Sequence, residues 1–320
     1  MNINANFKNL SANDIVEEEG DELYNNYRFK WHNNPKNKIV SAFPLFLDIE
    51  ATSVCNLNCP HCLQSHIGFK KGFMQWEMYE RIIDEAAANG CYGCKYNTLS
   101  RGEPLLHKDL PKMISYAKKK GLIDVYFNTN ATLLTEGLSI KLLDSGLDRI
   151  SFSIDGHDEK SYYENRRNDK FRQIEEEIIR FYIIRNSRRY STKIRIQTVA
   201  LDNIDLEKYK EKWIKYCDDI GVITYKEMRE RKFGLVSDWA CPQLWQRMSI
   251  LYSGEILSCN HDDRQFAAIG NINNMTIGKA WRNIMYMREM HRKGEADLID
   301  ACDGCFLRTS EIMGLNNDRI

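Results

Sequence analysis

The chain has 320 residues, 43% of them hydrophobic, enough for one large domain or a domain with an appendage around a real core. Lysine plus arginine balances aspartate plus glutamate at 45 each, so no net field draws the chain to nucleic acid or to an anionic membrane, and the expected partner is a small molecule or a peptide. The polar start from Met1 to Asp14 lacks a signal peptide's apolar centre, and no stretch reaches the roughly 18 to 20 apolar residues of a membrane span, which predicts a cytoplasmic protein whose ten cysteines serve metal or redox chemistry rather than disulfides.

Residues 1–44 begin acidic (Glu17, Glu18, Glu19, Asp21, Glu22), turn basic and aromatic (Tyr27, Arg28, Phe29, Lys30, Trp31) without a clear period, and read as a partly ordered N-terminal extension. From Leu47 to about Met228, β-rich runs alternate with amphipathic helical stretches, the pattern of repeated βα units around a parallel sheet. Strands are expected at Leu47–Ala51, Tyr96–Ser100, Ile123–Asn128, Arg149–Ile154, Lys193–Val199 and Val222–Glu227. Between them, Met78, Ile82, Ile83 and Ala86 share one helical face, as do Leu110, Met113, Ile114 and Ala117, with Gly90 and Gly121 as stops; Leu206, Tyr209, Trp213 and Cys217 repeat the pattern before Gly221. Six parallel strands with right-handed crossovers curl into an α/β fold of the partial (β/α)6 TIM-like type over residues 45–235, with chemistry at the C-terminal strand ends. After Cys241 the pattern turns hairpin-like, Met248 to Tyr252, a turn at Ser253-Gly254, and Glu255 to Leu257, followed by a helix around Ile277 to His291. Residues 236–310 are read as a small second domain and 311–320 as a tail.

Cys55, Cys59 and Cys62 form C-x-x-x-C-x-x-C directly after the first expected strand, at the catalytic mouth of such a barrel. Iron-sulfur cubes are normally held by four cysteines, so three thiolates leave one iron open to a chelating ligand. A structural zinc site wants four protein ligands, and although His61 and His66 lie nearby, no fourth cysteine or suitably spaced histidine pair completes one here.

With this triplet the chain resembles the radical S-adenosylmethionine superfamily, and further segments carry the likeness. Gly102, Glu103 and Pro104 follow the second strand where the family has a glycine-glycine-glutamate-proline motif that meets the cosubstrate's amino group; Arg101 replaces the first glycine. Asn128, Thr129 and Asn130 after the third strand, and Ser153, Ile154, Asp155 and Gly156 after the fourth, resemble the family's asparagine-containing and serine-isoleucine-aspartate-glycine segments. The resemblance implies Ser153 and Arg167 as partners of the methionyl carboxylate. It also puts His61, at a position often aromatic in the family, either near the adenine or simply in the loop. The implied first step is electron entry into the sulfonium, giving a 5'-deoxyadenosyl radical that takes a substrate hydrogen, with flavodoxin or ferredoxin as the electron donor.

Cys241, Cys259, Cys302 and Cys305 bring four thiols from separated segments, the last two as C-x-x-C. The set resembles the shortened SPASM domain called twitch, as do Gly270, Asn271, Ile272 and the Trp281 helix; that implies a second 4Fe-4S cluster, and zinc is the competing metal. Cys91 and Cys94 form a C-x-x-C ahead of the second expected strand, away from the mouth, and read as a surface dithiol, while Cys217 reads as packing. Gly102, Pro104, Ser153, Asp155 and Arg167 each have a plain structural reading as turn, cap or solvated charge. Glu227, Arg229 and Arg231 could bind polar substrate groups or form a solvated rim. For the whole chain the expected function is C-H abstraction from a sugar or aminocyclitol, with maturation of a ribosomally made peptide as the alternative; the sequence names no general base or hydrogen donor.

Overall fold

The computed structural model describes residues 7–11, 14–18, 20–98, 102–225, 240–262, 268–305 and 307. In chain order it contains β1 (Phe7–Asn9), α1 (Glu22–Asn37), β2 (Phe46–Ile49), α2 (Trp76–Ala88), β3 (Gly93–Lys95), α3 (Leu110–Lys119), β4 (Asp124–Thr129) and α4 (Glu136–Asp144). There follow β5 (Arg149–Ser153), α5 (Glu159–Arg166), α6 (Phe171–Ser187), β6 (Lys193–Val199), α7 (Leu206–Trp213), β7 (Asp219–Ile223) and α8 (Gln243–Gln246). The chain ends with β8 (Arg247–Ile250), β9 (Glu255–Leu257), β10 (Ala268–Asn271), α9 (Ile277–Asn283) and α10 (Met285–Lys293).

All these strands form one sheet in the order β1-β7-β6-β5-β4-β3-β2-β8-β9-β10. The run from β2 to β7 is parallel and sequential, the expected barrel core. The hairpin is there as β8 and β9, but β8 also pairs in parallel with β2, from Phe46 opposite Arg247 to Ile49 opposite Ile250. The second region is therefore fused to the barrel's own sheet.

Strand residues alternate between two environments, as a period of two requires. Leu47, Cys94, Val125, Phe127, Ile150, Phe152, Ile194, Ile196 and Ile220 face the helices and join the main core. The opposite face is polar: Lys95, Asn128, Ser153 and Gln197 line one cavity, and Lys95, Arg149, Arg195 and Arg247 line a second beneath it. Residues from β3 through β7 on one cavity mean that the sheet curls into an open barrel. Gly90 and Gly121 stop α2 and α3 at φ +72° and +94°, the left-handed region glycine tolerates.

Several expectations shift. The second strand is β3, ahead of Tyr96–Ser100, and the sixth is β7, which begins before Val222; Gly221 lies inside β7 rather than ending a helix. Residues 226 and 227 of the expected sixth strand lie outside the described residues. The N-terminal segment is not a loose extension over its described part. β1 adds antiparallel to β7, and α1 plugs the barrel's N-terminal end, burying Tyr27, Arg28, Trp31, Asn34 and Pro35. Its buried face mixes aromatic and polar groups because each polar one finds a partner: Tyr27 Oη donates to Asp124, Arg28 meets Glu17, and Asn34 Nδ2 donates to Ser41 Oγ at 2.8 Å.

Trp31 packs edge-on against Tyr27 and Phe46, lies under the Arg247 guanidinium, and accepts from Gln246 at its carbonyl. Replacing it by alanine removes most of that plug, so Trp31→Ala should cost about 3–5 kcal/mol in denaturant-monitored stability.

Candidate active site

The cysteine loop leaves β2 at the C-terminal mouth of the barrel, where Cys55, Cys59 and Cys62 line one pocket. The Leu57 N–H donates to Cys55 Sγ at 3.4 Å, and the loop closes by Cys62 N–H donating to Cys59 carbonyl at 3.0 Å. Burial pushes the Cys55 thiol up to about 11 and lifts Cys59 and Cys62, with the Cys59 sulfur also opposing charge on Cys55 and Cys62. Three such thiols stay protonated until a cation replaces the protons, which is the chemistry of a metal-thiolate site. Among the described residues no three His, Cys, Asp or Glu groups converge closely enough to clasp one ion. Three cysteines supply only three of the four protein ligands a structural zinc site takes, whereas an iron-sulfur cube can leave one iron to a chelating ligand, so the donor set fits the cube better than zinc.

The second wall is the Gly102-Glu103-Pro104 turn. Gly102 has φ +65°, and a Cβ there would stand 1.9 Å from the Thr52 carbonyl oxygen, so the close approach of this turn to the cysteine loop requires glycine. Its N–H donates to Gln64 Oε1 at 3.0 Å, and Glu103 N–H to the Val54 carbonyl at 2.8 Å. The Glu103 carboxylate, raised by burial, accepts from Thr129 Oγ1 (2.7 Å), Leu105 N–H (3.0 Å) and Asn130 N–H (2.8 Å). Pro104 opens a 3-10 turn that Glu103 caps. Arg101 lies outside the described residues.

Asparagine and aspartate complete the frame. Asn130 Nδ2 donates to Asn56 Oδ1 at 3.0 Å and approaches Cys55 Sγ at 4.0 Å, while Asn128 lines the pocket beside Asn97. Asp155 is fully buried behind the lining: its Oδ2 meets Arg166 Nε at 2.7 Å and His61 Nε2 at 3.0 Å, and its Oδ1 accepts from the Val199 N–H at 2.9 Å. Burial opposes its charge, but Arg166 and His61 outweigh that and hold the carboxyl well below the usual range. Ser153 accepts from Gln197 Nε2 at 3.1 Å, and both line the pocket.

Arg167 does not join them. It ends α5 in the left-handed conformation, φ 52°, outside the lining, whereas its neighbour Arg166 lines the pocket with Nη1 3.9 Å from Cys59 Sγ. A one-residue error at a helix end changes which side chain turns inward. Glu227, Arg229 and Arg231 lie outside the described residues.

The other thiols also group. Cys241 precedes α8, Cys259 follows β9, and Cys302 and Cys305 lie after α10; burial and then the charges of Cys302, Cys241 and Cys305 hold the Cys259 thiol far above its ordinary value, which places the four together. His291 is 2% exposed among them. Its Nδ1 accepts from the Cys241 N–H at 3.2 Å, so the ring proton sits on Nε2 and donates toward Cys302 Sγ at 3.4 Å. Cys91 and Cys94 are no surface dithiol: both are buried, Cys94 within β3 facing the helices, with burial pushing Cys91 up to about 12. Cys217 packs partly buried against the core, as expected.

Lys95, Asn97, Arg166, Gln197 and His291 were not found from sequence. The first, second and fourth carry one usable signal, a polar residue alternating with apolar ones inside a strand or at its end.

A model of the Radical SAM superfamily matches residues 49–196, and a model of the SPASM type, described as an iron-sulfur cluster-binding domain, matches residues 241–306. The chain is similar to a probable GTP 3',8-cyclase of Methanococcus maripaludis, 35% identical over 36% of this chain and 37% of the relative, so it spans little more than a third of that relative's length. Among solved structures, BtrN in complex with AdoMet and 2-DOIA has a TM-score of 0.58 at 17% identity, covering 83% of this chain and 94% of BtrN. SuiB of Streptococcus suis bound to precursor peptide SuiA has a TM-score of 0.64 at 18% identity, covering 92% and 78%. These two show the fold. The two matched domains imply S-adenosylmethionine and 4Fe-4S clusters as cofactors.

Two outcomes follow. Gly102→Ala should keep the fold by circular dichroism yet cut S-adenosylmethionine cleavage on the order of 10²-fold, since the added Cβ displaces Glu103. In anaerobically loaded protein, His291→Phe should move the midpoint of the second cluster to a more negative potential in a redox titration followed by electron paramagnetic resonance, because a donor to a ligating sulfur favours the reduced state.

Proposed function

We propose that this chain, which belongs to the radical SAM superfamily, binds S-adenosylmethionine at a cluster held by Cys55, Cys59 and Cys62 and abstracts hydrogen from a hydroxylated small molecule, a sugar or aminocyclitol, ending in oxidation or epimerisation. The observation that carries the reading is the convergence of three thiols, Glu103, Ser153 and Arg166 on one pocket at the C-terminal strand ends. When bound, the cluster and its cosubstrate supply an electron and a 5'-deoxyadenosyl radical.

The chain's own groups bind and orient. Glu103, anchored by three hydrogen bonds, presents a buried acceptor to the amino group, and Ser153, Gln197 and Arg166 face the methionyl carboxylate. His61, held by Asp155, stands where the adenine would lie. Asn128 and Asn130 complete the cosubstrate wall, and the curled sheet keeps the reacting carbon out of bulk water. Cys241, Cys259, Cys302 and Cys305 hold the second cluster, and their four thiols leave it no open iron. A reduced flavodoxin or ferredoxin is the proposed electron donor.

Oxidation is favoured over epimerisation because, among the described residues, no cysteine beyond the three ligands lines the pocket to return a hydrogen. BtrN, seen with 2-DOIA, supports a small substrate. SuiB, seen with a precursor peptide and similar over 92% of this chain, supports a second reading, maturation of a ribosomally made peptide.

Anaerobic reconstitution with iron and sulfide counting, followed by an assay for 5'-deoxyadenosine, tests the proposal. Replacing Cys55, Cys59 and Cys62 together by alanine should abolish 5'-deoxyadenosine, whereas Cys302→Ala with Cys305→Ala should spare some cleavage and block product. Loss of two hydrogens from a polyol identifies the first substrate class and modification of a co-expressed peptide the second. Fully loaded wild-type protein that makes no 5'-deoxyadenosine overturns both.

A further inference from the structure

Beneath the cysteine loop the lumen continues into a second cavity that reaches α1, and Lys95, Asn128 and Gln197 line both. The lower part is strongly ionic, and its arginines are taken. Arg149 binds Asp124 through two nitrogens, at 2.7 and 3.0 Å; Arg195 Nε donates to Asp219 at 2.8 Å and its Nη2 also meets Asp14 at 3.0 Å. Arg247 faces Asp48 at 3.4 Å, and Arg28 pairs with Glu17. Of the acids higher in the barrel, Glu50 holds the Tyr252 N–H at 3.1 Å, and Glu103 and Asp155 are committed as described above. Lys95 is the exception. Among the described residues its ammonium has no hydrogen-bond or ion-pair partner.

We infer that Lys95 is the centre of an anion subsite on the floor of the substrate pocket, so that the substrate carries a carboxylate or phosphate group pointing down the lumen. The inference rests on reading this pocket as the substrate site. The surroundings agree with it: burial first, and then Arg247 and Arg149, bring the Lys95 ammonium down to about 8 against the attraction of Asp48, so an anion placed there restores what the site lacks. Asn97 in the same lining is neutral and can hold a hydroxyl, while the unpartnered ammonium on the floor disfavours an amine. An acidic polyol, such as a sugar acid or sugar phosphate, therefore fits better than an aminocyclitol.

The test uses the loaded holoenzyme with saturating S-adenosylmethionine, which occupies the cosubstrate carboxylate site, and follows thermal stability with added inorganic phosphate, malonate or uncharged inositol. Phosphate or malonate should raise the melting temperature of the wild type and of Lys95→Arg, inositol should not, and Lys95→Met should lose the anion response. A response to phosphate alone makes the group a phosphate, and to malonate alone a carboxylate. No anion response in the wild type, or an equal one in Lys95→Met with native circular dichroism, overturns the inference. Formation of 5'-deoxyadenosine by the wild type is scored separately, so failure of the radical reading is distinguishable from failure of the anion subsite.

Discussion

One buried carboxylate holds the catalytic mouth together. Asp155 has no exposure, and a charge in that position is tolerable only with several partners. It has them from three elements: His61 from the cysteine loop, Arg166 from the end of α5, and the Val199 N–H at the end of β6. His61 is the residue before Cys62, and Arg166 also reaches Cys59, so the same carboxylate that joins the barrel's loops sets two of the three thiols. The Gly102 turn fixes the opposite wall by backbone contact with the cysteine loop. The binding frame is thus built from protein interactions alone, and the groups that would meet a cosubstrate need little rearrangement to do so.

The barrel's interior is organised by charge from bottom to top. Parallel sheets covered on both faces usually read as continuous apolar runs; these strands alternate instead, as in Arg149–Ser153 and Lys193–Val199. At the base, arginine-aspartate pairs close under α1, and the Trp31 and Tyr27 rings line the same cavity. Midway the lining becomes neutral amide and hydroxyl, and at the mouth it becomes thiol. A solute entering the barrel meets hydrogen-bonding groups and, on the floor, the Lys95 ammonium.

Local features were legible in the sequence, and features set by distant partners were not. The cysteine spacing, the β5 and β6 strands and the faces of α2 and α3 depend on near neighbours, and they stand where the sequence puts them. The second strand was placed too late because the residues that look most β-like, from Tyr96 on, lie past the end of the short β3. The plug helix α1 hid behind Arg28, Asn34 and Pro35, polar or helix-breaking residues that are buried only because the barrel floor supplies their partners. Arg166 and Arg167 differ by one position at a helix end. Lys95 and His291 belong to no motif; their surroundings become distinctive only when strands and helices remote in sequence meet.

The same sheet relates the two thiol sets. β8 runs parallel to β2, so the cysteine loop leaves the C-terminal edge while Cys241 enters, through α8, at the N-terminal edge. β9 runs back antiparallel, which returns Cys259 to that N-terminal edge, and Cys302 and Cys305 join it there. The four paired residues of β2 and β8 span about 13 Å at roughly 3.3 Å each, so the two centres stand at least on the order of one strand length apart. The lumen lies beside that span, with its open, thiol-lined end at one centre and its ionic floor toward the level of the other. The one sheet therefore sets the Cys55, Cys59 and Cys62 thiols at the mouth and the Cys241, Cys259, Cys302 and Cys305 thiols toward the opposite strand ends, so that neither set can shift without disturbing the β2–β8 pairing between them.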